Sequence, residues 1–489
     1  MARGKKKEEL TLEEKLERAL VPVEEQPYEV PGNWCWTYLK DIAQWGSGGT
    51  PSRKNPAYYD GNIPWVKTGE LEDDYLYDTE EKVSVEAIQK SNAKLFPVET
   101  VLIAMYGATI GKTAILGVDA ATNQACACAI CNSSINNKYL FYYLRSQKDN
   151  FIEQGKGGAQ PNISQNIIKN NCIPLPSKAE QKRIVEKIES LFVKLNESKE
   201  KLQNILDTFE DRKAVILYKA FQGTLTRTWR ENYTVKSAAN YLQDILDKGE
   251  CSSRKEFKFW NNDSLPESWA ESKIGNLLYF AGRIGWKGLK AEEYTEEGPL
   301  LLSVYNLNDG DEVSYNRVYH ISDKRYEESP EIMVKQGDVL LTKDGAGIGK
   351  LGYVKELAQK ATINSSLLLI RPGNVAISKY IFYLLSGPEL QRIVKERITG
   401  SATPHLFQKD IKEFIIPVPP LEEQREIVRI LDDILSKETN IYKTIKKVVA
   451  QTDLMKKSIL AKAFRGELGT NNPEEESPIE LLKIMFTET

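Results

Sequence analysis

Histidine and cysteine are scarce in this sequence. The chain has 489 residues but only 2 histidines and 6 cysteines. So few thiols do not form a disulfide framework, and we expect a reducing, cytoplasmic compartment. Cys126, Cys128 and Cys131 are spaced densely enough to suggest a metal site. Zinc takes four ligands, however, and no fourth cysteine lies nearby, so we expect no metal site and predict core strand positions for Cys126 and Cys128.

Long apolar runs are also lacking. No stretch approaches the ~20 apolar residues that cross a bilayer, so we expect no membrane partner. The N-terminus begins with basic residues but lacks the apolar segment of a signal peptide. A net charge of −3 with 28% charged residues indicates a soluble protein. This balance excludes a uniformly basic nucleic-acid binder and leaves room for local basic patches.

What the sequence does contain is a duplication. The stretch GGAQPNISQNIIKNNCIPLPSKAEQKRIVEKI, from Gly157, returns as GSATPHLFQKDIKEFIIPVPPLEEQREIVRIL, from Gly400, at an offset of 243 residues. The same offset relates YKAFQGTL, from Tyr218, to AKAFRGEL, from Ala461. A repeat without insertions over this interval predicts one helix of fixed length in each copy.

A heptad pattern fills that interval in both copies. Ser177 and Glu180 form an S-x-x-E sequence, which predicts a capping box at the start of the first helix. Apolar residues follow at alternating spacings of four and three: Ile184, Ile188, Leu191, Leu195, Leu202, Ile205 and Phe209, then in the second copy Ile427, Leu431, Ile434, Ile441, Ile445, Val448, Met455 and Ile459. Ser198 interrupts the first series, and Glu438 and Thr452 interrupt the second. The pattern predicts two coiled-coil helices of ~44 residues, each about 65 Å long and packed antiparallel.

A glycine-rich stretch resembles a nucleotide-binding loop. GATIGKT, from Gly107, is one residue shorter than the G-x-x-x-x-G-K-[ST] pattern, and Leu351 replaces Thr113 in the second copy, GAGIGKL. Two alternatives follow: a P-loop NTPase with a coiled-coil arm, or a tight turn after an apolar strand. KNPAYY, from Lys54, similarly misses the N-P-P-[YF] motif of amino-methyltransferases by one residue. We therefore expect a non-catalytic chain.

Together these features resemble the specificity (S) subunit of type I restriction–modification systems. The resemblance rests on the paired tails IPLPSKAEQKRIV and IPVPPLEEQREIV, the paired AF[QR]G-x-L ends and the two glycine runs, and it covers about residues 10–486. It implies an α+β fold with two similar α/β target-recognition domains, joined by two long antiparallel coiled-coil helices in a pseudo-two-fold, circular organisation. The expected segments are an N-terminal helix, recognition domain 1, spacer helix 1, a linker with a short helix, recognition domain 2, spacer helix 2 and a tail with a short helix: 1–24, 25–176, 177–223, 224–254, 255–419, 420–466 and 467–489.

The resemblance also implies a function. Each recognition domain is expected to read one half of an asymmetric bipartite site in double-stranded DNA. The helices are expected to set the spacer and to dock two modification (methyltransferase) subunits, which two restriction subunits join in some systems. The chain itself is expected to bind no cofactor: S-adenosylmethionine belongs to the methyltransferase partner, and ATP and magnesium belong to the restriction partner. A coiled-coil scaffold without sequence-specific DNA reading is the remaining alternative.

Polar, mostly basic loops are the candidate DNA contacts. Base reading requires side-chain donors and acceptors beside cations that bind phosphate. The first copy offers Ser47, Thr50, Arg53, Lys54, Tyr58, Lys67, Lys156, Gln160 and Asn162, and the second offers Arg283, Trp286, Lys287, Lys290, Lys343, Thr403 and His405. An ordinary solvated loop is the alternative for each of them.

Overall fold

The computed structural model divides the chain into two compact units. The first unit comprises Met1–Gln203 and Lys447–Thr489, and the second comprises Asn204–Lys446. The structure describes residues 10–156, 161–247, 259–260, 263–283, 289–307, 311–345, 347–357, 359–398 and 405–487. Each unit contains helices and mixed sheets, so the predicted α+β class is confirmed. The seven expected segments stay a prediction, because the division between the units passes through the long helices.

The strands in the described part of the first unit form three sheets. A two-stranded antiparallel sheet contains β1 (Cys35–Tyr38) and β11 (Cys172–Leu175). The largest sheet contains β2 (Ala43–Ser47), β4 (Asp74–Leu76), β7 (Val101–Ala104), β8 (Thr113–Leu116) and β10 (Cys126–Cys131), in the order β2-β10-β7-β8-β4. The third contains β3 (Ile63–Val66), β5 (Lys82–Val83), β6 (Leu95–Phe96) and β9 (Ala120–Thr122), in the order β5-β3-β9-β6.

The helices of the first unit surround these sheets. They are α1 (Leu12–Ala19), α2 (Leu39–Ile42), α3 (Val85–Lys90), α4 (Asn137–Ser146), α5 (Lys148–Gln154), α6 (Gln165–Asn170), nearly all of α7 (Lys178–Asp207), the last part of α16 (Leu421–Phe464) and α17 (Ile479–Thr487). Thr11 caps α1 in a complete capping box with Glu14. The first and last of these helices, α1 and α17, pack against each other.

Among the described residues of the second unit, the strands also form three sheets. The first contains β12 (Phe259–Trp260), β13 (Ala270–Lys273) and β21 (Ile415–Val418), in chain order. The second contains β14 (Tyr279–Gly282), β17 (Val339–Thr342), β18 (Leu351–Tyr353) and β20 (Leu367–Arg371), in the order β14-β20-β17-β18. The third contains β15 (Tyr294–Leu302), β16 (Tyr319–Ile321) and β19 (Ala361–Ile363), in the order β16-β15-β19.

The helices of the second unit complete the repeat. They are α8 (Phe209–Phe221), α9 (Arg227–Asn232), α10 (Ala238–Asp247), α11 (Ile274–Leu277), α12 (Asp323–Glu327), α13 (Ser378–Ser386), α14 (Pro388–Ile398), α15 (Gln408–Lys412) and the first part of α16. No helix in the described part of the chain is long and apolar enough to cross a bilayer.

Both units use the same central sheet. The order β2-β10-β7-β8 in the first unit corresponds to β14-β20-β17-β18 in the second. In β7, Val101 and Ile103 face one hydrophobic cluster, whereas Leu102 and Ala104 face another. Because this sheet is covered on both faces, its strands are continuous apolar runs rather than alternating ones.

One of the two long helices is not continuous, in contrast to the prediction. The second, α16, is an unbroken helix of 44 residues. The first is divided at Thr208 into α7, of 30 residues, and α8, of 13 residues. The Thr208 hydroxyl donates to the Asn204 carbonyl oxygen at 3.1 Å, a bond of the kind that often bends a helix. The prediction of one continuous first helix is therefore wrong.

The predicted heptad register is also wrong in part. Ile205, Val448 and Met455 were expected in the buried seam but are 40, 36 and 40% exposed. Thr452, which is polar but occupies a position of the predicted series, is only 4% exposed and lies in the seam at its predicted place. In the middle of the helices the shift affects alternate positions only, where the next residue along is the half-buried one, as at Leu206, Tyr442 and Val449.

Within the second unit, α8 and the first part of α16 run antiparallel. The rings of Phe209 and Tyr442 lie 4.6 Å apart. One helical turn further along α8, the Arg212 guanidinium contacts the Glu438 carboxylate at 3.0 Å, one turn back along α16. These contacts agree with an antiparallel pair in this unit, and the complete coiled coil stays a prediction.

Buried glutamates attach the start of each long helix to the mixed-sheet part of one unit. The Trp34 indole Nε1–H donates to Glu180 Oε2 at 2.8 Å, and Trp269 donates to Glu423 Oε2 at the same distance. Ser177 does accept a bond from the Glu180 backbone N–H, at 3.1 Å. The Glu180 carboxylate, however, contacts Trp34 instead of completing the predicted capping box, because it lies in the interior of the unit.

The neighbouring glutamines add a second attachment. Gln181 Oε1 accepts a bond from the Asn136 backbone N–H at 2.9 Å, and Gln424 Oε1 accepts one from the Ile377 N–H at 2.8 Å. Both glutamines are fully buried. The repeated E-Q pair therefore joins the first turn of each long helix to the start of a domain helix.

The repeated AF[QR]G ends pack on the same domains. Phe464, near the end of α16, contacts Tyr139 edge-on in the first unit, with ring centroids 5.3 Å apart. Phe221, at the end of α8, contacts Tyr380 in the second unit in the same way, at 5.4 Å. Each unit thus holds the start of one long helix and the end of the other.

Candidate DNA interface

The glycine-rich stretch forms a hairpin turn. Gly107 and Gly111 have φ values of 64° and 76°, a left-handed backbone that favours glycine. A phosphate loop leads from a strand into a helix, whereas Lys112 leads directly into strand β8. The Thr113 hydroxyl is buried and donates to Asp73 Oδ1 at 2.9 Å. The nucleotide-loop interpretation is therefore wrong.

Both hairpins meet the segment that returns toward the long helix. In the first unit, the Gly107 N–H donates to the Pro161 carbonyl at 2.9 Å, and the Ile163 N–H donates to the Met105 carbonyl at 2.9 Å. In the second unit, the Leu406 N–H donates to the Lys343 carbonyl at 2.9 Å. We call these contacts the hairpin junctions. They bring together candidate residues that lie about 60 positions apart in the sequence.

The loop after β2 is held by close backbone packing. A Cβ atom added to Gly48 would lie 1.9 Å from the Thr122 carbonyl oxygen, so only glycine fits there. Next to it, the exposed Thr50 hydroxyl donates to Gln124 Oε1 at 2.5 Å. Ser47 ends β2 opposite Ala127. The scaffold thus presents this polar loop in a fixed position.

Two candidate cations, Arg53 in this loop and Lys67 directly after β3, are paired internally. The Arg53 guanidinium lies 2.6 Å from Glu81, and the Lys67 ammonium lies 3.1 Å from the same carboxylate. Hydrogen bonding to these cations lowers the pKa of Glu81. Arg53 also lies over the Tyr59 ring, 4.3 Å from its centroid. A phosphate would have to compete with Glu81 for both side chains.

The other described candidates of the first unit differ in exposure. Lys54 is exposed and has no ion-pair partner among the described residues. Tyr58 packs partly into a small hydrophobic cluster around Trp65. Lys156 pairs with Glu153, and Asn162 is exposed at the hairpin junction. The structure therefore leaves Lys54 and Asn162 more available than Tyr58.

In the second unit, Arg283 does not reach the surface. It is 5% exposed, and its guanidinium donates to the Ile363 carbonyl at 3.1 Å and to the Thr362 hydroxyl at 3.2 Å. Burial, with the neighbouring Arg325 cation, lowers the pKa of Arg283. As a DNA contact it is disfavoured in this conformation, because the sheet already satisfies these two donor groups.

Of the remaining candidates in the second unit, Lys343 and His405 lie together. Lys343 lies at the hairpin junction, with its ammonium 3.2 Å from Asp344. His405 lies at the same junction, and its Nδ1 is hydrogen-bonded to the Asp344 carboxylate. Lys290 is exposed at the end of a separate loop. Gln160, Trp286, Lys287 and Thr403 lie outside the described residues.

Sequence reasoning missed several residues at these surfaces. Tyr106 and Phe407 are exposed aromatics beside the junctions, and Asp344 orients His405. Their position in the repeat could have identified two of them, because Tyr106 and Asp344 directly precede the duplicated glycine turns at equivalent places.

The cysteine cluster belongs to the core. Cys126 and Cys128 are fully buried in β10, as predicted, and burial raises the pKa of Cys128 to about 12. No cluster of histidine, cysteine, aspartate and glutamate side chains suited to a metal ion occurs in the described ranges.

The chain contains two copies of one domain built on mixed sheets. Each copy has a polar hairpin junction, and the two junctions carry different side chains. The protein therefore has two related recognition modules. Sequence comparison identifies the class. A family model for the type I restriction modification DNA specificity domain matches residues 31–207 and 266–451. The chain therefore belongs to this family of type I restriction–modification specificity subunits, whose role is DNA recognition.

Individual relatives agree with this assignment. The EcoBI specificity subunit of Escherichia coli is 26% identical over 349 residues, covering 71% of this chain and 68% of the relative. The MjaIX specificity subunit of Methanocaldococcus jannaschii is 24% identical over 453 residues, covering 90% and 94%. The crystal structure of the HsdS subunit from Thermoanaerobacter tengcongensis has a TM-score of 0.61 at 21% identity, covering 91% of this chain and all of that one. The last comparison supports the fold alone.

Proposed function

We propose that this chain is a non-catalytic subunit that reads an asymmetric bipartite DNA site, one half-site per recognition domain. The observation that carries the proposal is a duplicated scaffold with different junction side chains. Four strands of the central sheet recur in the same order in both units, yet Tyr106 and Asn162 at one junction correspond to Asp344 and His405 at the other. Different donors and acceptors on one framework recognise different base edges.

The long helices set the spacer in this proposal. Helix α16 is continuous over 44 residues, about 66 Å at 1.5 Å per residue, and contributes to both units. Both recognition domains are attached to it through buried contacts, at Glu423 near its start and at Phe464 near its end. A stiff connection of fixed length would allow one separation between two half-sites and disfavour others.

The outer faces of the helices are proposed to dock two methyltransferase subunits. Ile205 and Val448 are exposed apolar residues that occupy the same position in the two repeats. Because each repeat carries one such exposed residue, the chain would offer two equivalent docking sites for two copies of one partner. Those partners would supply S-adenosylmethionine and the methyl transfer. Where restriction subunits join, they would supply the ATP- and magnesium-dependent cleavage.

Mapping methylated adenines tests the DNA-reading proposal directly. The full-length chain would be expressed with its methyltransferase partner in a host that lacks adenine methylation. We expect one bipartite motif with unequal halves and a fixed spacer, and binding of the purified complex should weaken steeply with salt. Methylation without a sequence motif would instead favour the scaffold alternative.

A further inference from the structure

The two hairpin junctions share a backbone framework but differ in side-chain chemistry. Tyr106 pairs with Asn162 across an antiparallel bridge, and Asp344 pairs with His405 across an equivalent one. The main-chain bonds already described hold these segments in place. The side chains at the paired positions are therefore not required to maintain the local fold.

The junction of the first unit presents a side-chain amide to solvent. Asn162 is exposed, and its side chain has no hydrogen-bond partner among the described residues. Tyr106, beside it, is also exposed. A side-chain amide carries a donor and an acceptor together, which matches the major-groove edge of adenine.

The junction of the second unit presents an oriented imidazole. An ionised carboxylate only accepts hydrogen bonds, so Asp344 fixes Nδ1 of His405 as the donor and leaves Nε2 for another partner. Phe407 contacts the His405 ring edge-on at 4.4 Å and is itself exposed. Lys409 extends over the Phe407 ring, 5.4 Å from its centroid, and can supply a phosphate contact nearby.

We propose that the junction pairs are specificity-determining: Asn162 beside Tyr106 reads a base of one half-site, and His405, positioned by Asp344, reads a base of the other. This inference rests on the proposed bipartite function and assigns its base-reading residues. It also accounts for the exposed aromatic side chain beside each junction, Tyr106 in the first unit and Phe407 in the second. Asp344 acts through His405 and is a positioning residue.

The test uses the full-length chain assembled with its methyltransferase partner, and compares methylation at every base of both half-sites. For His405→Ala, we expect discrimination to fall about tenfold at one base position of one half-site. The other half-site and the spacer should be unchanged. Asn162→Ala should relax one position of the opposite half-site. Asp344→Asn should relax the same position as His405→Ala, but less strongly.

His320→Ala is the matched control, because His320 is the other histidine of the chain and its Nδ1 is hydrogen-bonded to the Gly298 carbonyl at 2.8 Å instead of to a junction residue. It should leave both half-sites unchanged. If His405→Ala does not assemble, as shown by native mass spectrometry, His405→Gln keeps hydrogen-bonding capacity and decides the question by its base preference.

The wild-type complex in the same experiment shows whether a bipartite DNA site is read at all. A failure of the proposed function is therefore distinguished from a failure of this inference. With an intact wild-type motif, unchanged discrimination in both assembled junction variants would overturn the proposal. A uniform loss across both half-sites would overturn it too, since it would indicate a purely structural role.

Discussion

The Trp34 indole donates a hydrogen bond to the buried Glu180 carboxylate, with Nε1 and Oε2 2.8 Å apart. Burial raises the pKa of Glu180, and the bonds from Trp34 and Asn471 oppose that rise. Trp34 begins the recognition domain, Glu180 begins the long helix, and Asn471 follows the end of α16. One carboxylate therefore joins three distant parts of the first unit.

Replacing Glu180 should separate its acceptor role from its charge. Glu180→Ala should lower the free energy of unfolding by about 1–3 kcal/mol, because the Trp34 N–H loses its acceptor in a buried site. Glu180→Gln should lower it less, since an amide oxygen still accepts and no charge is buried. Urea denaturation followed by tryptophan fluorescence measures both, with the exposed Glu186→Ala as control. Equal losses for Ala and Gln would contradict this account.

The Asp41 carboxyl group should make the stability of the folded protein depend on pH. Burial raises its pKa from 3.8 to about 6, and its Oδ2 has no hydrogen-bond partner among the described residues. The folded state thus holds this proton more tightly than the unfolded chain, and ionising Asp41 disfavours folding. The penalty grows as pH rises from about 4 to 6 and is constant above that range.

Asp41→Asn should therefore raise the thermal midpoint at pH 7.5, and its advantage over the wild type should shrink below pH 6. Differential scanning fluorimetry at several pH values measures this difference. The exposed Asp60→Asn should show no comparable trend. An advantage independent of pH would point to a packing effect instead.

The exposed apolar positions of the long helices predict partner stoichiometry. A charge at Ile205 or Val448 should weaken docking of one methyltransferase subunit, because it would bury an unpaired carboxylate in the interface. Native mass spectrometry should then show one partner per chain for Ile205→Asp or Val448→Asp, and none for the double variant. Ser458→Asp, also exposed on α16, should keep two. Unaltered assembly of the double variant would place docking elsewhere.

Helix length should determine the spacer of the DNA site. Inserting seven residues after Ser198 and after Ile441, which are equivalent positions, preserves the heptad and lengthens both helices by about 10 Å. The half-sites should stay the same, while the preferred spacer should grow by about three base pairs at 3.4 Å each. Methylation mapping measures both. A spacer unchanged in an assembled variant would exclude the helices as the determinant.

The sequence predicted the fold where repetition and apolar periodicity agreed. Examples are the long helices that begin at the two repeated tails, the buried strand around Cys126 and the two α+β units. The heptad register was ambiguous because Ile205–Leu206 and Val448–Val449 are adjacent apolar pairs, and either member fits the spacing. Tertiary packing selects between them.

The candidate site was less predictable for a different reason. A basic loop pattern does not say whether a cation points outward, and Arg283 turns inward because Ile363 and Thr362 offer acceptors that are distant in sequence. The Arg53 and Lys67 pairing with Glu81 is equally non-local. Only the folded chain brings these partners together.

The hairpin junctions have an evolutionary consequence. Their framework consists of main-chain hydrogen bonds and glycine turns, such as the bond from Gly107 to Pro161. Substitutions at the exposed side chains leave that framework intact, so mutations there are compatible with folding. A lineage carrying this protein could acquire a new target sequence through a few such changes, while the helices and their partners remain the same.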